Sequence, residues 1–345
     1  MAIDRVPNAM RMLVAVVAAG AWLSTHPGAA RAADDFSGQT ISFVMGSPPG
    51  GGYDSYVRPL VLHMVRHIPG NPTMIVQSMP GAGGMRAANY IYNKAPRDGT
   101  VMGLVSSTTA FEPLFGSAEA LYDTPKFTWI GNIDEIVGTC EVWHTSGINR
   151  FDDLLTRQVT FGGAGAGSAS YQLSTALKNL LGAKINLVKG YPGATEINLA
   201  MQRGEVAGSC GISLSTLKTV YANDYQAGRL KPIIQLAIDK HPDLAGVAHI
   251  YDYAKNDEDR GVFDMVFGRY VLGRPVLSPP GLSPERTKML RAAFMATMKD
   301  PAFLADAERL KIEIQPTSGE EVEQVVKRFF SYPHSVVTRA IAAME

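Results

Sequence analysis

The stretch ISFVMGSPPGGGYDS, Ile41–Ser55, runs from an apolar, β-prone segment through three consecutive glycines into a helix-like stretch that reaches His67. Glycine loses more freedom than any other residue on ordering, so such a run needs a backbone reason. Further along, VTFGGAGAGSASY, Val159–Tyr171, follows the same plan of apolar strand, Gly-rich turn, small hydroxyl residues and helix start. Two units of this kind predict two α/β domains, each presenting a Gly-rich helix N-terminus to a ligand held between two lobes.

The surrounding sequence extends both units. TMIVQ (Thr73–Gln77) and TVMGLVS (Thr100–Ser106) read as further strands, and the loop PGAGG (Pro80–Gly84) opens onto the helical MRAANYIYNKA. INLVKG, a helix over Thr195–Arg203, EVAGSCG and KPIIQLAI (Lys231–Ile238) continue the alternation around the second unit. Strands alternating with helices indicate largely parallel sheets. The C-terminal part is helical: Ser283-Pro284-Glu285 gives an N-cap with Pro at the first helical position. Ser318-Gly319-Glu320-Glu321 gives a capping box, and Pro333 interrupts the last helix. These helices are expected to pack on the first domain, and the polar segment His241–Arg260 suits a crossover. The expected division is residues 33–137 with 240–345 in lobe 1 and 138–239 in lobe 2.

The N-terminus reads as a targeting segment. Arg5 and Arg11 precede the apolar run Met12–Leu23, and Ala30-Arg31-Ala32 supplies an A-x-A cleavage pattern, so residues 1–32 read as a secretory signal peptide. The run is too short to span a bilayer comfortably. Removing residues 1–32 takes three basic residues and one acidic residue from a balance of 32 against 32, leaving 29 against 31. A near-neutral mature chain without a basic run argues against nucleic acid as a partner. The two cysteines, Cys140 and Cys210, admit two readings in an oxidising compartment: a single disulfide, which is slightly favoured, or two buried thiols in neighbouring strands.

A helix N-terminus carries unpaired N–H groups and partial positive charge, and glycines let a ligand approach them closely. Loops at Gly50, Gly81 and Gly165, each after a strand, favour anion binding over tight turns alone. Nucleotide signatures are lacking: no glycine is followed by lysine, and no intact G-x-G-x-x-G occurs. There is no G-x-S-x-G, and HMVRH (His63–His67) lacks the glutamate of a zinc-protease helix. Cys140 and His144 alternate along a strand without making a dyad, and Asp54 at a helix start is more often a cap than a base. Neither a cofactor nor a metal is expected.

The motifs GSPPGGGYD, SMPGAGG, APRDGTVMGLVSS, FGGAGAGSAS, YPGATE and RGEVAGS stand in an ordered series over essentially the whole mature chain. The series resembles the substrate-binding proteins of tripartite tricarboxylate transporters, the Bug family. The resemblance implies a type II periplasmic-binding-protein fold, two α/β lobes joined by crossing strands with a ligand cleft between them. It implies a non-enzymatic, monomeric receptor in the periplasm. Such a receptor captures a di- or tricarboxylate or an aromatic carboxylate, closes by hinge motion and delivers the acid to membrane permease subunits. By position, the first-lobe contacts are Ser47, Pro49, Gly50, Gly51, Gly52, Tyr53, Asp54, Ser106 and Ser107. The second-lobe contacts are Gly165, Ala166, Gly167, Ser168, Ala169 and Tyr191.

The chain departs from the family pattern at several positions. Ser78-Met79-Pro80-Gly81 stands where Asn-Arg-Pro-Gly is common, Tyr53 where threonine is usual and Tyr171 where a histidine is common; small residues near Ala207 and Gly208 replace an often acidic position. The tyrosines offer either aromatic walls, which would favour an aromatic or longer ligand, or surface and packing residues. Two other readings use the same pocket: a secreted enzyme acting on a small acid through Asp54 or His144, and a ligand-presenting partner of a sensor.

Overall fold

The structure, a computed structural model, describes residues 35–345 other than Pro48, Gly51, Ala166 and Gly167. The leader expected over 1–32 and the site positions Gly51, Ala166 and Gly167 lie outside the described residues. The chain opens with β1 (Thr40–Met45), α1 (Gly52–Met64), β2 (Thr73–Ser78), α2 (Met85–Asn93), β3 (Val101–Leu104), α3 (Ser107–Phe111) and β4 (Thr128–Asn132). It crosses into β5 (Gly138–Trp143), α4 (Asp153–Thr156), β6 (Val159–Gly162), α5 (Ala169–Leu181), β7 (Ile185–Val188) and α6 (Ala194–Gln202). The second unit continues through β8 (Gly208–Ser213), α7 (Leu214–Thr219), α8 (Ala222–Gln226), β9 (Leu230–Leu236) and β10 (Ala248–His249). The remainder comprises α9 (Asp257–Val266), β11 (Pro275–Ser278), α10 (Pro284–Thr297), α11 (Pro301–Leu310), β12 (Thr317–Ser318), α12 (Gly319–Phe330) and α13 (His334–Met344).

Two six-stranded sheets result, with orders β2-β1-β3-β11-β4-β12 and β7-β6-β8-β5-β9-β10. The two orders are the same plan. In each, three parallel strands are followed by one antiparallel to both its neighbours. That antiparallel strand is the one the chain brings in from the other unit: β5 follows β4, and β11 follows the second sheet. The expected two α/β lobes joined by crossing strands therefore form. The segment from His241 is not wholly a crossover, because Ala248–His249 pairs with β9 and adds an edge to the second sheet.

Alternation along β1 explains how its sheet is covered on both faces. Ile41, Phe43 and Met45 share one buried cluster with Leu60 and Met64 of α1 and Phe294 of α10. Val44 points the other way, into the cluster of Ala87, Ala88 and Ile91 from α2. Phe294 seats directly on β4 because Gly131 has no side chain; a Cβ there would lie 2.2 Å from the ring. Burying that ring fully contributes about 1.5–3 kcal/mol.

The capping signals form as read. Ser283 accepts from the Arg286 N–H, and Ser318 with Glu321 makes a reciprocal capping box. The last helices divide where Pro333 stands. α12 packs on β4 of the first sheet, its Phe329 stacked on Phe111 at 4.7 Å, whereas α13 packs on α9 and on α5 of the second unit. Asn179 of α5 donates to the Ala343 carbonyl at 3.2 Å. α13 therefore meets both lobes, packing on α9 of the 240–345 segment as expected and on α5 besides, and its apolar face (Val336, Val337 and Ala340) joins the central core.

Cys140 and Cys210 are bonded, directly opposite one another on β5 and β8. The bond closes a 70-residue separation and ties the crossing strand to the strand that ends at the second cavity described below. In a chain-entropy account a loop of that length is worth roughly 4 kcal/mol. Reduction, or the pair Cys140→Ala and Cys210→Ala, is expected to lower the unfolding free energy in urea by about 2–4 kcal/mol. Unreduced protein should gain no mass on alkylation; a gain, or an unchanged urea midpoint after reduction, contradicts this assignment.

Candidate functional site

Beyond the carboxyl ends of β1, β2 and β3 lies a cavity of about 280 Å³ lined by Gly46, Ser47, Tyr53, Pro80, Gly81, Gly83, Gly84, Leu104 and Ser106. Open α/β sheets bind ligands in such crevices. The walls meet closely: Gly84 has φ +104°, and a Cβ on Gly46 would lie 3.1 Å from the Gly84 Cα. Ser106 caps α3, accepting from the Thr109 N–H, and its hydroxyl also lies 2.6 Å from the Thr109 hydroxyl. Thr109 in turn donates to the Gly83 carbonyl at 2.9 Å, which fixes the second glycine loop. Ser78 donates to the Ser47 carbonyl at 2.8 Å, whereas the Ser47 hydroxyl is buried without a partner.

The start of α1 differs from expectation. Asp54 accepts from the Gly50 N–H at 2.9 Å and from Arg58 Nε at 2.8 Å. Burial pushes its carboxyl up, but the Arg58 and Gly50 hydrogen bonds outweigh that and hold it below its ordinary range. Gly50, expected to offer its N–H to a ligand, uses it inside the loop, and a fixed carboxylate already faces the positive helix end. Pro49, Gly50, Gly52, Asp54 and Ser107 do not line the cavity, whereas Ser47, Tyr53 and Ser106 do. The Tyr53 phenol is pushed up by burial and drawn back by Arg274 and by the Ser107 amide and hydroxyl.

The second lobe carries the counterpart, a cavity of about 260 Å³ at the ends of β6 and β8. Ala164, Ser168, Ala169 and Ser170 line one side, Pro192–Ala194 and Ile197 another, and Ser209–Ile212 the floor. Ser168 caps α5 by accepting from the Tyr171 N–H, and Ser170 accepts from the Ala164 N–H at 3.1 Å. α6 begins at this wall with no side-chain cap, so its first N–H groups are donors for a ligand oxygen. Ser168 and Ala169 are thus placed at the cavity; Gly165 and Tyr191 do not line it. Tyr191 packs with the cluster of Trp143, Ile197 and Tyr221. Tyr171 turns elsewhere, donating from its hydroxyl to the Glu345 carbonyl at 3.2 Å.

Several lining residues escaped the sequence reading. Pro192–Ala194 stand in the motif YPGATE, and Ser209–Ile212 start at the last residue of RGEVAGS and run beyond it, but only the fold shows that they meet Ser168. The second glycine loop, Pro80–Gly84, was read as an anion-binding loop at Gly81, but its individual lining residues were not named. The remaining chemical candidates are engaged elsewhere. His63 pairs with Asp306 and His67 with Asp300, joining α1 to α11. His144 is exposed at the end of β5, and Cys140 is in the disulfide.

The two crossings run side by side beneath these cavities. The Ile133 N–H donates to the Arg274 carbonyl at 3.1 Å and the Ile136 N–H to the Tyr270 carbonyl at 3.0 Å. Asn132 stitches the same junction, accepting from the Arg274 N–H at 2.9 Å and donating to the Asp134 carbonyl at 2.9 Å. Buried Asp134 accepts from the Tyr56 hydroxyl and pairs with Arg274, both at 3.1 Å. Burial pushes its carboxyl up to about 7, against Arg274 and the Tyr56 hydroxyl and with Glu313 and Glu135 adding to the rise. Across the crossings, Lys218 of α7 bonds Glu313 at 3.0 Å.

Neither a protein-family profile nor a curated protein sequence matches the chain. Solved structures do. A TctC solute binding protein from Polaromonas superposes with a TM-score of 0.71 at 20% identity, over 88% of this chain and 98% of that one. The periplasmic binding protein BugD gives 0.58 at 19% identity, over 88% of this chain and 97% of its own. MatC from Rhodopseudomonas palustris with bound malate gives 0.55 at 18%, over 89% and 99%. The likeness shows the fold, the two-lobed α/β architecture of periplasmic binding proteins. No helix among the described residues is long and apolar enough to cross a membrane.

The raised Asp134 carboxyl has a signed consequence. A folded value near 7 against an ordinary 3.8 means that the protonated form favours the folded state. That contribution is complete below about pH 4 and is lost as the pH rises through about 7. The urea midpoint of the native chain relative to Asp134→Asn should therefore fall between pH 4 and 8. A difference that stays flat across this range, or rises, contradicts the reading.

Proposed function

We propose that this chain is a periplasmic receptor of the tripartite tricarboxylate type, of the Bug family. In this reading it captures a small organic acid between its lobes and passes it to membrane permease subunits. The observation that carries the reading is the pair of equivalent cavities, each at the carboxyl ends of parallel strands and each lined by glycine and serine, with the uncapped start of α6 added in the second. Such donors suit carboxylate oxygens, since hydrogen bonds to a charged group are worth about 1.5–3 kcal/mol each. The neighbouring folds support the reading, because they include a solute binding protein, a periplasmic binding protein and one with bound malate. The ordered motifs and the signal-like N-terminus point the same way.

In the proposed mechanism, lobe 1 (33–137 with 240–345) and lobe 2 (138–239) swing about the crossings, with α13 seated against the second lobe. Closure brings Ser47 and Ser106 to one end of the acid and Ser168, Ala169 and the start of α6 to the other. Tyr53, standing where the family commonly has threonine, narrows the first half and selects ligand shape. We take the receptor to be monomeric and non-enzymatic. Binding is favoured over catalysis by the fixed roles of the acid–base candidates: Asp54 is held by Arg58 and Gly50, and His144 stands outside both cavities.

Calorimetry and thermal unfolding with malate, citrate and benzoate test this directly. The best acid is expected to stabilise the chain by about 2.7 kcal/mol at 100 times its Kd. Ser47→Ala should weaken it about tenfold, the equivalent of one lost hydrogen bond to a charged oxygen. Tyr53→Thr should shift preference towards the bulkier acids. Binding of sugars or amines with no acid bound, or turnover of the acid, overturns the proposal.

A further inference from the structure

A third cavity, of about 480 Å³, shares no lining residue with the two half-sites. It opens between the lobes: Glu112 and Phe115 follow α3, Tyr171 and Gln172 belong to α5, and Arg269 precedes the return crossing. Arg269 is only 5% exposed, yet no carboxylate among the described residues forms an ion pair with it. Its Nη2 donates to Gln172 Oε1 at 2.8 Å and to the Tyr270 hydroxyl at 3.3 Å, while its Nε is buried with no partner. Arg274 and Arg291, the other well-buried arginines described, each have a carboxylate within 3.1 Å. A buried guanidinium without a counter-charge is costly, and its planar fork suits a carboxylate.

Two acidic residues, Glu112 and Glu345, line the same cavity, and neither forms an ion pair with Arg269 among the described residues. Glu112 is half-buried; burial pushes its carboxyl up and Arg269 draws it back. The cavity thus holds one guanidinium facing two acidic residues, Glu112 and Glu345, with no described ion pair joining them. Its remaining walls are mixed: Tyr171, Gln172 and Glu345 are polar, while the Phe115 ring stands 5.8 Å from the guanidinium and Ile341 and Met344 are contributed by α13. We propose that this cavity binds a zwitterionic α-amino acid with an apolar side chain. The α-carboxylate pairs with Arg269, the α-ammonium with Glu112, and the side chain lies among Phe115, Tyr171, Ile341 and Met344. This site is separate from the proposed organic-acid cleft and does not depend on it.

Titration calorimetry with L-phenylalanine, 3-phenylpropanoate and phenethylamine is the test, since the last two each lack one charged group. L-Phenylalanine is expected to bind, and each single-charge analogue to bind at least tenfold more weakly. Arg269→Met should abolish L-phenylalanine binding. Glu112→Gln, at a half-exposed position that folding tolerates, should weaken it at least tenfold and leave malate titration unchanged. No L-phenylalanine binding at millimolar concentration overturns the proposal, as does equal binding of 3-phenylpropanoate. Unchanged L-phenylalanine affinity in either variant also overturns it. The malate titration reads the other cleft independently, so the two proposals fail separately.

Discussion

The architecture depends on one exchange of strands. β5 leaves the first sheet's territory and is inserted, antiparallel, into the second; β11 makes the reverse journey. Each sheet is complete only with a strand that arrives from across the junction, so neither lobe can separate from the other without losing an interior strand. Both inserted strands are buried along their whole length. The short segments on either side are held together by Asn132, Asp134 and Arg274, and the proposed lobe motion would bend there. A buried carboxyl at that point is a chemical weakness, tolerated because Tyr56 and Arg274 satisfy one of its oxygens.

The same exchange places the half-sites. Three parallel strands on one side of each inserted strand end in loops, and those loops hold the glycines and serines of each cavity. Ser106 and Ser168 are helix caps before they are anything else, and capping fixes their hydroxyls where a ligand oxygen can meet neighbouring donors. The disulfide anchors the second half from beneath, since Cys210 lies in the cavity floor while Cys140 lies on the crossing strand. In the proposed reading, strand register, side-chain capping and the crossings together turn two glycine-rich loops into opposing halves of one cleft.

Local features were legible from residues alone. The strand–glycine–helix echo at Ile41 and Val159 announced two equivalent α/β units, and Ser318 with Glu321 announced a capping box that forms. What escaped depended on long-range pairing. Cysteine spacing could not say that Cys140 and Cys210 stand opposite one another, because that is a property of register. The helix-end glycines promised free N–H groups, but Asp54 reaches back to Gly50 and removes one of them. Nothing in α13 marked its additional contact with the second lobe; its apolar stripe packs on α9 and on α5 alike. Arg269 carried no motif at all and becomes visible only once its neighbours are in place.

The central claim is that the two half-sites close on one ligand by bending at the crossings. Fluorescence energy transfer between labels at Ile75 and Val188 tests it, because both positions are exposed and lie on equivalent edge strands of the two sheets. Adding a saturating organic acid should shorten the Ile75–Val188 distance, and Ser47→Ala should require more acid for the same change. An unchanged distance with the acid bound, or a shortening that occurs equally without it, would contradict the claim.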